Sequence, residues 1–201
     1  MTEPVPGVRV PLISEEEVTG RAAEIYAHIK AVTKLPFVPD MFRLTSSRPD
    51  LMNIVATGYQ GMFSEDCVLP RQVRELVAAW SSKVNGCPYC AGTHNWFLGQ
   101  FGGSDELLAA VWATNDPDEL PVDEKTHVLL RLVTKVSLAA YKVVDEDWEA
   151  AAEAGWTNAE ILEAVFCASL FAFINRLVDA TGLGTSVQQS RISKQSDESA
   201  A

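Results

Sequence analysis

Apolar residues in this chain recur mainly at intervals of three and four, and sustained one-in-two alternation is nearly absent. That is the period of helices that bury one face, so the pattern predicts an all-α fold. Ser14 followed by Glu17 has the form of a capping box. Val18, Ala22, Ile25, Ile29 and Val32 then form a stripe, which predicts a first helix opening at Ser14. Pro36 and Pro39 interrupt the next stretch and leave room for a short helix at most. A helix follows Arg48-Pro49. Another opens at Pro70, carries Leu76, Val77, Trp80 and Val84 on one face, and stops at Asn85-Gly86. The stretch "NGCPYCAGTHNWF" begins a new helix that runs to about Gln100, with Gly102-Gly103 beyond it. Ser104 caps "DELLAAVWA", and a long amphipathic helix begins near Pro121. A short helix ends at Gly155. Thr157 and Glu160 form a second capping box, opening a helix to about Thr181 that Gly182 and Gly184 close.

These signals divide the chain into an N-terminal arm (1–12), one all-α domain of about eight helices (13–185) and a polar tail (186–201). A chain of 201 residues buries enough surface to fold without a disulfide or zinc staple. The composition, 47% hydrophobic and 21% charged, is that of a globular protein. The formal charge of −11 opposes non-specific nucleic-acid binding and attraction to an anionic membrane surface. The start lacks a basic and apolar leader. The most apolar run, Ile161 to Ile174, is short for a membrane span and contains Glu163, so it reads as a buried helix. The expected location is the cytoplasm, where thiols stay reduced unless they turn over.

Against that background the two cysteines three apart stand out. With Cys87 at a helix start, Cys90 and His94 fall one turn apart on one face. The two thiols would lie close enough to close a disulfide across the first turn. Backbone N–H groups at a helix start favour a thiolate, a histidine one turn away can exchange its proton, and a second thiol can resolve an oxidised first one. Three uses remain open on these grounds: thiol redox chemistry, a zinc site and inert packing. Zinc would need a fourth ligand such as Glu75 or a partner, because the chain has no second CxxC and no HxxxH. Cys67 and Cys167 read as packed thiols. By composition alone Glu75, flanked by Arg71 and Arg74, is an exposed carboxylate in a local ion pair. A helical hairpin broken at Asn85-Gly86 would nonetheless let its helix face approach His94 or a cysteine.

From Glu75, eleven residues lead to Cys87-Pro-Tyr-Cys90, and three more lead to His94. This resembles the E-x11-C-x2-C-x3-H signature of the AhpD-like alkylhydroperoxidases within the carboxymuconolactone decarboxylase superfamily. The segments "LPRQVRELVAAWSSKVNGCPYCAGTH", "FGGSDELLAAV", "FVPDMFRLTSSRPDLM" and the stretch from Val144 to Leu183 are similar to the peroxidase-related branch, so the likeness covers about residues 8–185. The resemblance implies an all-α homo-oligomer. It implies that Cys90 attacks with help from His94, that Cys87 closes the disulfide, and that Glu75 belongs to a proton relay. It further implies a hydroperoxide or disulfide substrate, no tightly bound cofactor or metal, and an external dithiol reductant such as a lipoyl or thioredoxin-like protein. That is alkyl hydroperoxide reductase activity of the peroxiredoxin type. One position departs from the family. Where its peroxidases carry a histidine just before the second cysteine, this chain has Tyr89, and a phenol with pKa near 10 carries protons poorly at neutral pH.

The competing functions are a lactone decarboxylase, a redox sensor without turnover and a zinc-binding module. An intact CxxC is superfluous to the decarboxylase. Of the remaining candidates, His127 reads as a solvated or capping residue and His28 as a helix-surface residue. Arg176, after a very apolar run, reads as a buried cation needing Asp179, Glu163 or a neighbouring subunit, with a supporting role at the site as the alternative. Trp96 and Phe97 read as core rather than as an apolar entrance.

Overall fold

Proline and glycine set most of the helix boundaries in the computed structural model, which describes residues 7–183. Nine α-helices and no strand occur among the described residues, so the predicted all-α class is correct. The described residues form two compact units, one of residues 65–175 and one of residues 7–64 with 176–183.

In the second of these, α1 (Gly20–Thr33) packs on α3 (Pro49–Phe63), with the four-residue α2 (Asp40–Arg43) between them in sequence. The aromatic centre is Phe42, whose ring meets Tyr59 edge-on at 5.4 Å, while Tyr59 lies 4.7 Å from Phe63. The first helix starts later than the Ser14 capping box predicts. Ser14 and Glu17 do meet, at 3.4 Å, but they close only a turn. Glu15 explains the delay. Its carboxylate accepts from Val38 N at 2.8 Å and from Lys30 Nζ at 2.7 Å, which holds residues 14–18 off the helix axis. Gly20, at φ 60°, then makes the change of direction that a side chain would resist.

The unit of residues 65–175 contains the cysteine motif. Its helices are α4 (Arg71–Val84), α5 (Pro88–Gln100), α6 (Asp105–Ala113), α7 (Glu124–Ala139), α8 (Asp145–Glu153) and α9 (Asn158–Thr181). α4 is the central element and packs against α5, α6 and α7. Every residue from Arg74 to Ser82 on it is buried, including the fully enclosed Trp80, whose indole N–H donates to Thr134 at 2.8 Å. The caps act as the sequence implies. Ser104 accepts from Leu107 N, and Glu160 N and Thr157 N exchange bonds with the Thr157 and Glu160 side chains. α7 starts three residues after Pro121, because the Asp123 carboxylate caps it through Thr126 N at 2.8 Å.

α9 has 24 residues and a mean hydropathy of 1.8 over its most apolar window, so by length and composition it could cross a membrane. It exceeds the 14-residue run seen in the sequence because Thr157 starts it early and nothing breaks it before Gly182. Here its Ile161, Ala164, Cys167, Ala168, Phe171 and Ile174 are core residues. Glu163 is put to use rather than interrupting the helix, accepting from Val68 N and Leu69 N at 3.0 and 2.7 Å.

Arg176 is exposed, contrary to the expectation of a buried cation. The helical period places it in line with the exposed Leu162, Phe166 and Phe173, away from the buried face. The polar tail 186–201 and most of the 1–12 arm lie outside the described residues.

Candidate active site

The site is built on a helical hairpin. α4 ends at Val84, and the chain turns through Asn85 and Gly86, the latter at φ 78°, where glycine is favoured. Cys87 is then the N-cap of α5 in extended conformation, with Pro88 as its first helical residue. Cys90 therefore sits in the first turn of α5 and His94 one turn later, as the spacing predicted. Cys87 and Cys90 are carried as thiols and are almost wholly buried, at 0% and 3% exposure. Sequence reasoning set the motif at a helix start but had no means of showing this enclosure.

Glu75 is the residue whose setting the sequence left most open. It is completely buried, not exposed as composition alone suggested. Its two oxygens are divided between partners. Oε1 accepts from Arg71 Nε and Nη2 at 2.7 and 2.6 Å. Oε2 meets His94 Nδ1 at 2.6 Å. The hairpin thus brings together side chains nineteen residues apart, and the ion pair read from the sequence also exists, one turn along α4. A carboxylate only accepts, so the bond puts a proton on Nδ1, and in the neutral ring Nε2 is the basic nitrogen. The ring is held by Phe171 of α9, edge-on at 4.5 Å, and by Phe97 at 6.0 Å. Phe97 is core, as expected, and meets the half-buried Trp96 edge-on at 4.9 Å.

Arg71 extends this arrangement outward. Its guanidinium lies 4.3 Å from the ring centre of the half-exposed Phe101. Its side chain is about a quarter exposed at 28%, so the row Phe101, Arg71, Glu75, His94 runs from the surface to the interior. The sequence noted Arg71 only as a neighbour in charge. The i,i+4 spacing with Glu75 was the signal that could have placed it in the site.

Tyr89 is buried at 2%, and its main-chain carbonyl accepts from Thr93 at 2.9 Å. Cys167 is buried, and burial foremost, then the Glu75 carboxylate, push its thiol well above the usual range. Cys67 is half-buried rather than packed away, because it stands in the loop before α4. His127, in the first turn of α7, donates from Nε2 to Leu120 O at 2.8 Å, and its Nδ1 lies 3.5 Å from Glu124 Oε2. His28 is exposed and bonded to Gln60. A cavity of about 320 Å³, lined by Gln72, Leu76, Leu107, Asp123 and Thr126 among others, contains none of the motif residues. Among the described residues no group of three or more His, Cys, Asp or Glu is arranged to hold a metal ion.

Residues 49–120, which include Glu75, both motif cysteines and His94, match the model of the carboxymuconolactone decarboxylase family. The fold around them is AhpD-like. The chain is similar to a peroxidase-related protein with an alkylhydroperoxidase AhpD core from Ralstonia eutropha JMP134. Identity is 22% over 89% of this chain and 92% of that one, with a TM-score of 0.79. A peroxidase-related protein from Silicibacter sp. TM1040 is 21% identical over 92% and 95% of the two chains, with a TM-score of 0.78. A cysteine-to-alanine variant of the debrominase Bmp8, bound to 2,3,4-tribromopyrrole, is 12% identical over 97% and 99%, with a TM-score of 0.74. At these identities the likeness is one of fold. No curated protein matches the chain.

Proposed function

We propose that the protein is a thiol-dependent oxidoreductase that reduces hydroperoxides or disulfides through Cys87 and Cys90. The observation that carries this reading is the buried Glu75–His94 bond of 2.6 Å, one helical turn beyond Cys90 and on the helix that Cys87 caps. The fold alone does not choose the reaction, since a debrominase shares it. The family segment and the peroxidase-related neighbours support an antioxidant role. The dithiol favours that role over lactone decarboxylation, which has no use for a redox pair.

In the cycle, His94 Nε2 takes the Cys90 proton while Glu75 holds Nδ1. The Cys90 sulfur attacks the outer oxygen of ROOH, the O–O bond breaks, and ROH leaves with a proton, giving Cys90–SOH. The Cys87 sulfur attacks that sulfur and water leaves, giving the disulfide. An external dithiol of the lipoyl or thioredoxin-like kind then reduces it in two exchange steps. Tyr89 stands where a relay histidine would add a second proton carrier, so proton delivery falls to Glu75 and His94. No tightly bound cofactor takes part. The setting is the cytosol, and the working form is a homo-oligomer.

Thiol titration of the anaerobic protein with one equivalent of hydroperoxide tests the reading. Two thiols per chain should disappear, and Cys90→Ser should lose turnover with a dithiol donor. Full peroxide reduction by Cys90→Ser would overturn it.

A further inference from the structure

Asn175 on α9 is 1% exposed and takes no part in the relay described above. Both ends of its amide are bonded. Asn85 Nδ2 donates to Asn175 Oδ1 at 3.0 Å, and Asn175 Nδ2 donates to Ser82 Oγ at 3.1 Å. These two partners bracket the turn that delivers the first cysteine. The main-chain carbonyl of Ser82 accepts from Cys87 N at 2.9 Å, so Ser82 joins Asn175 through its side chain and Cys87 through its backbone. Asn85 precedes Gly86, whose φ of 78° reverses the chain.

The two cysteines are not held alike. Cys90 is the third residue of α5, so its dihedral angles are helical. Cys87 lies at the edge, with φ −100° and ψ 91°, and only its carbonyl side is bound into the helix, by Ala91 N at 3.0 Å. Its amide side depends on the turn from Ser82 to Gly86, and that turn is tied to α9 by one buried amide.

We propose that Asn175 is a positioning residue for the dithiol: by bridging Ser82 and Asn85 it holds Cys87 where its sulfur closes onto Cys90. The inference rests on the dithiol reading above. A buried polar chain with both ends satisfied is stiff. Ordering Cys87 before reaction raises the effective concentration of one thiol at the other, which favours the ring-closed disulfide over two mixed disulfides. In exchange with glutathione disulfide, one protein thiol attacks, one glutathione leaves as its thiol, and a mixed disulfide forms. The second protein thiol then attacks the protein-bound sulfur, releases the second glutathione and closes the ring. Asn175 acts on that second step.

The test is the exchange equilibrium with reduced and oxidised glutathione, with the Cys87–Cys90 disulfide read by peptide mass. Asn175→Ala should lower the equilibrium constant for ring closure about tenfold and leave more mixed disulfide at each glutathione ratio. Ser82→Ala and Asn85→Ala each remove one bond and keep the buried amide, and should shift it in the same direction by a factor of about three. These two carry the test if Asn175→Ala fails to fold. A lower melting temperature with an unchanged constant in all folded variants would overturn the positioning role and leave the dithiol reading intact. A wild-type chain that never closes Cys87 onto Cys90 would overturn both.

Discussion

Glu75 Oε2 and His94 Nδ1 lie 2.6 Å apart, and both side chains are buried. A short contact between a carboxylate and an imidazole out of water fixes the ring and its tautomer together. Glu75→Gln keeps the size but presents an amide that can donate as well as accept, so the ring loses its preference for a proton on Nδ1. Peroxide turnover should fall about 10²- to 10³-fold, within the usual range for general acid–base groups. Stopped-flow loss of thiols checks it. A change below threefold would remove Glu75 from the relay.

Arg71 supplies both donors to the other oxygen of Glu75. Arg71→Met leaves a buried carboxylate oxygen without them, which should lower stability by about 1–3 kcal/mol in urea melts. Arg71→Lys should recover only part of this, because an ammonium cannot place two N–H groups in the guanidinium plane. An Arg71→Met variant that melts with wild type would show that the two donors to Glu75 do not matter.

The cysteines should divide by access. Native protein treated briefly with iodoacetamide at pH 8 should be labelled first at the half-buried Cys67. Cys167, enclosed and with its thiol pushed up by burial, should stay unlabelled until the chain is unfolded. Peptide mapping reads the order, and early labelling of Cys167 would contradict the enclosure.

The Asp123 cap makes part of the stability depend on pH. Hydrogen bonds from Thr126 hold the Asp123 carboxyl below the usual carboxylate range. A depressed folded-state value gives stability that is present above the unfolded value, about pH 3.9, and is lost as pH falls through the folded one. Asp123→Ala should therefore cost about 0.5–2 kcal/mol at pH 7, with the gap to wild type narrowing at pH 3. A gap that does not change with pH would point to packing rather than charge.

Leu162, Phe166 and Phe173 form an exposed apolar line on α9. For the homo-oligomer proposed above, Phe166→Glu with Phe173→Glu should lower the mass read by light scattering to that of one chain. An unchanged mass would move the interface elsewhere.

Much of the fold was legible because it is written in local chemistry. Pro70, the Asn85-Gly86 stop, Ser104 and the Thr157–Glu160 box all lie where the helices begin or end. The Ser14–Glu17 box was misleading because Glu15, between its two members, bonds to residues far along the chain. Arg176 was misread for a related reason. An apolar neighbourhood in sequence says little about which face of a long helix a residue occupies.

The sequence by itself determined that Cys87 would cap a helix, that Cys90 and His94 would follow one turn apart, and that Glu75 stood on the preceding helix, because helix starts and periods depend on near neighbours. Only the tertiary structure decided that Glu75 is buried between Arg71 and His94, that both motif cysteines are enclosed, and that Asn175 ties their turn to α9. Apart from the i,i+4 pair of Arg71 and Glu75, those facts arise where α4, the turn after it, α5 and α9 meet, through contacts between residues 19 to 93 apart that no local pattern encodes.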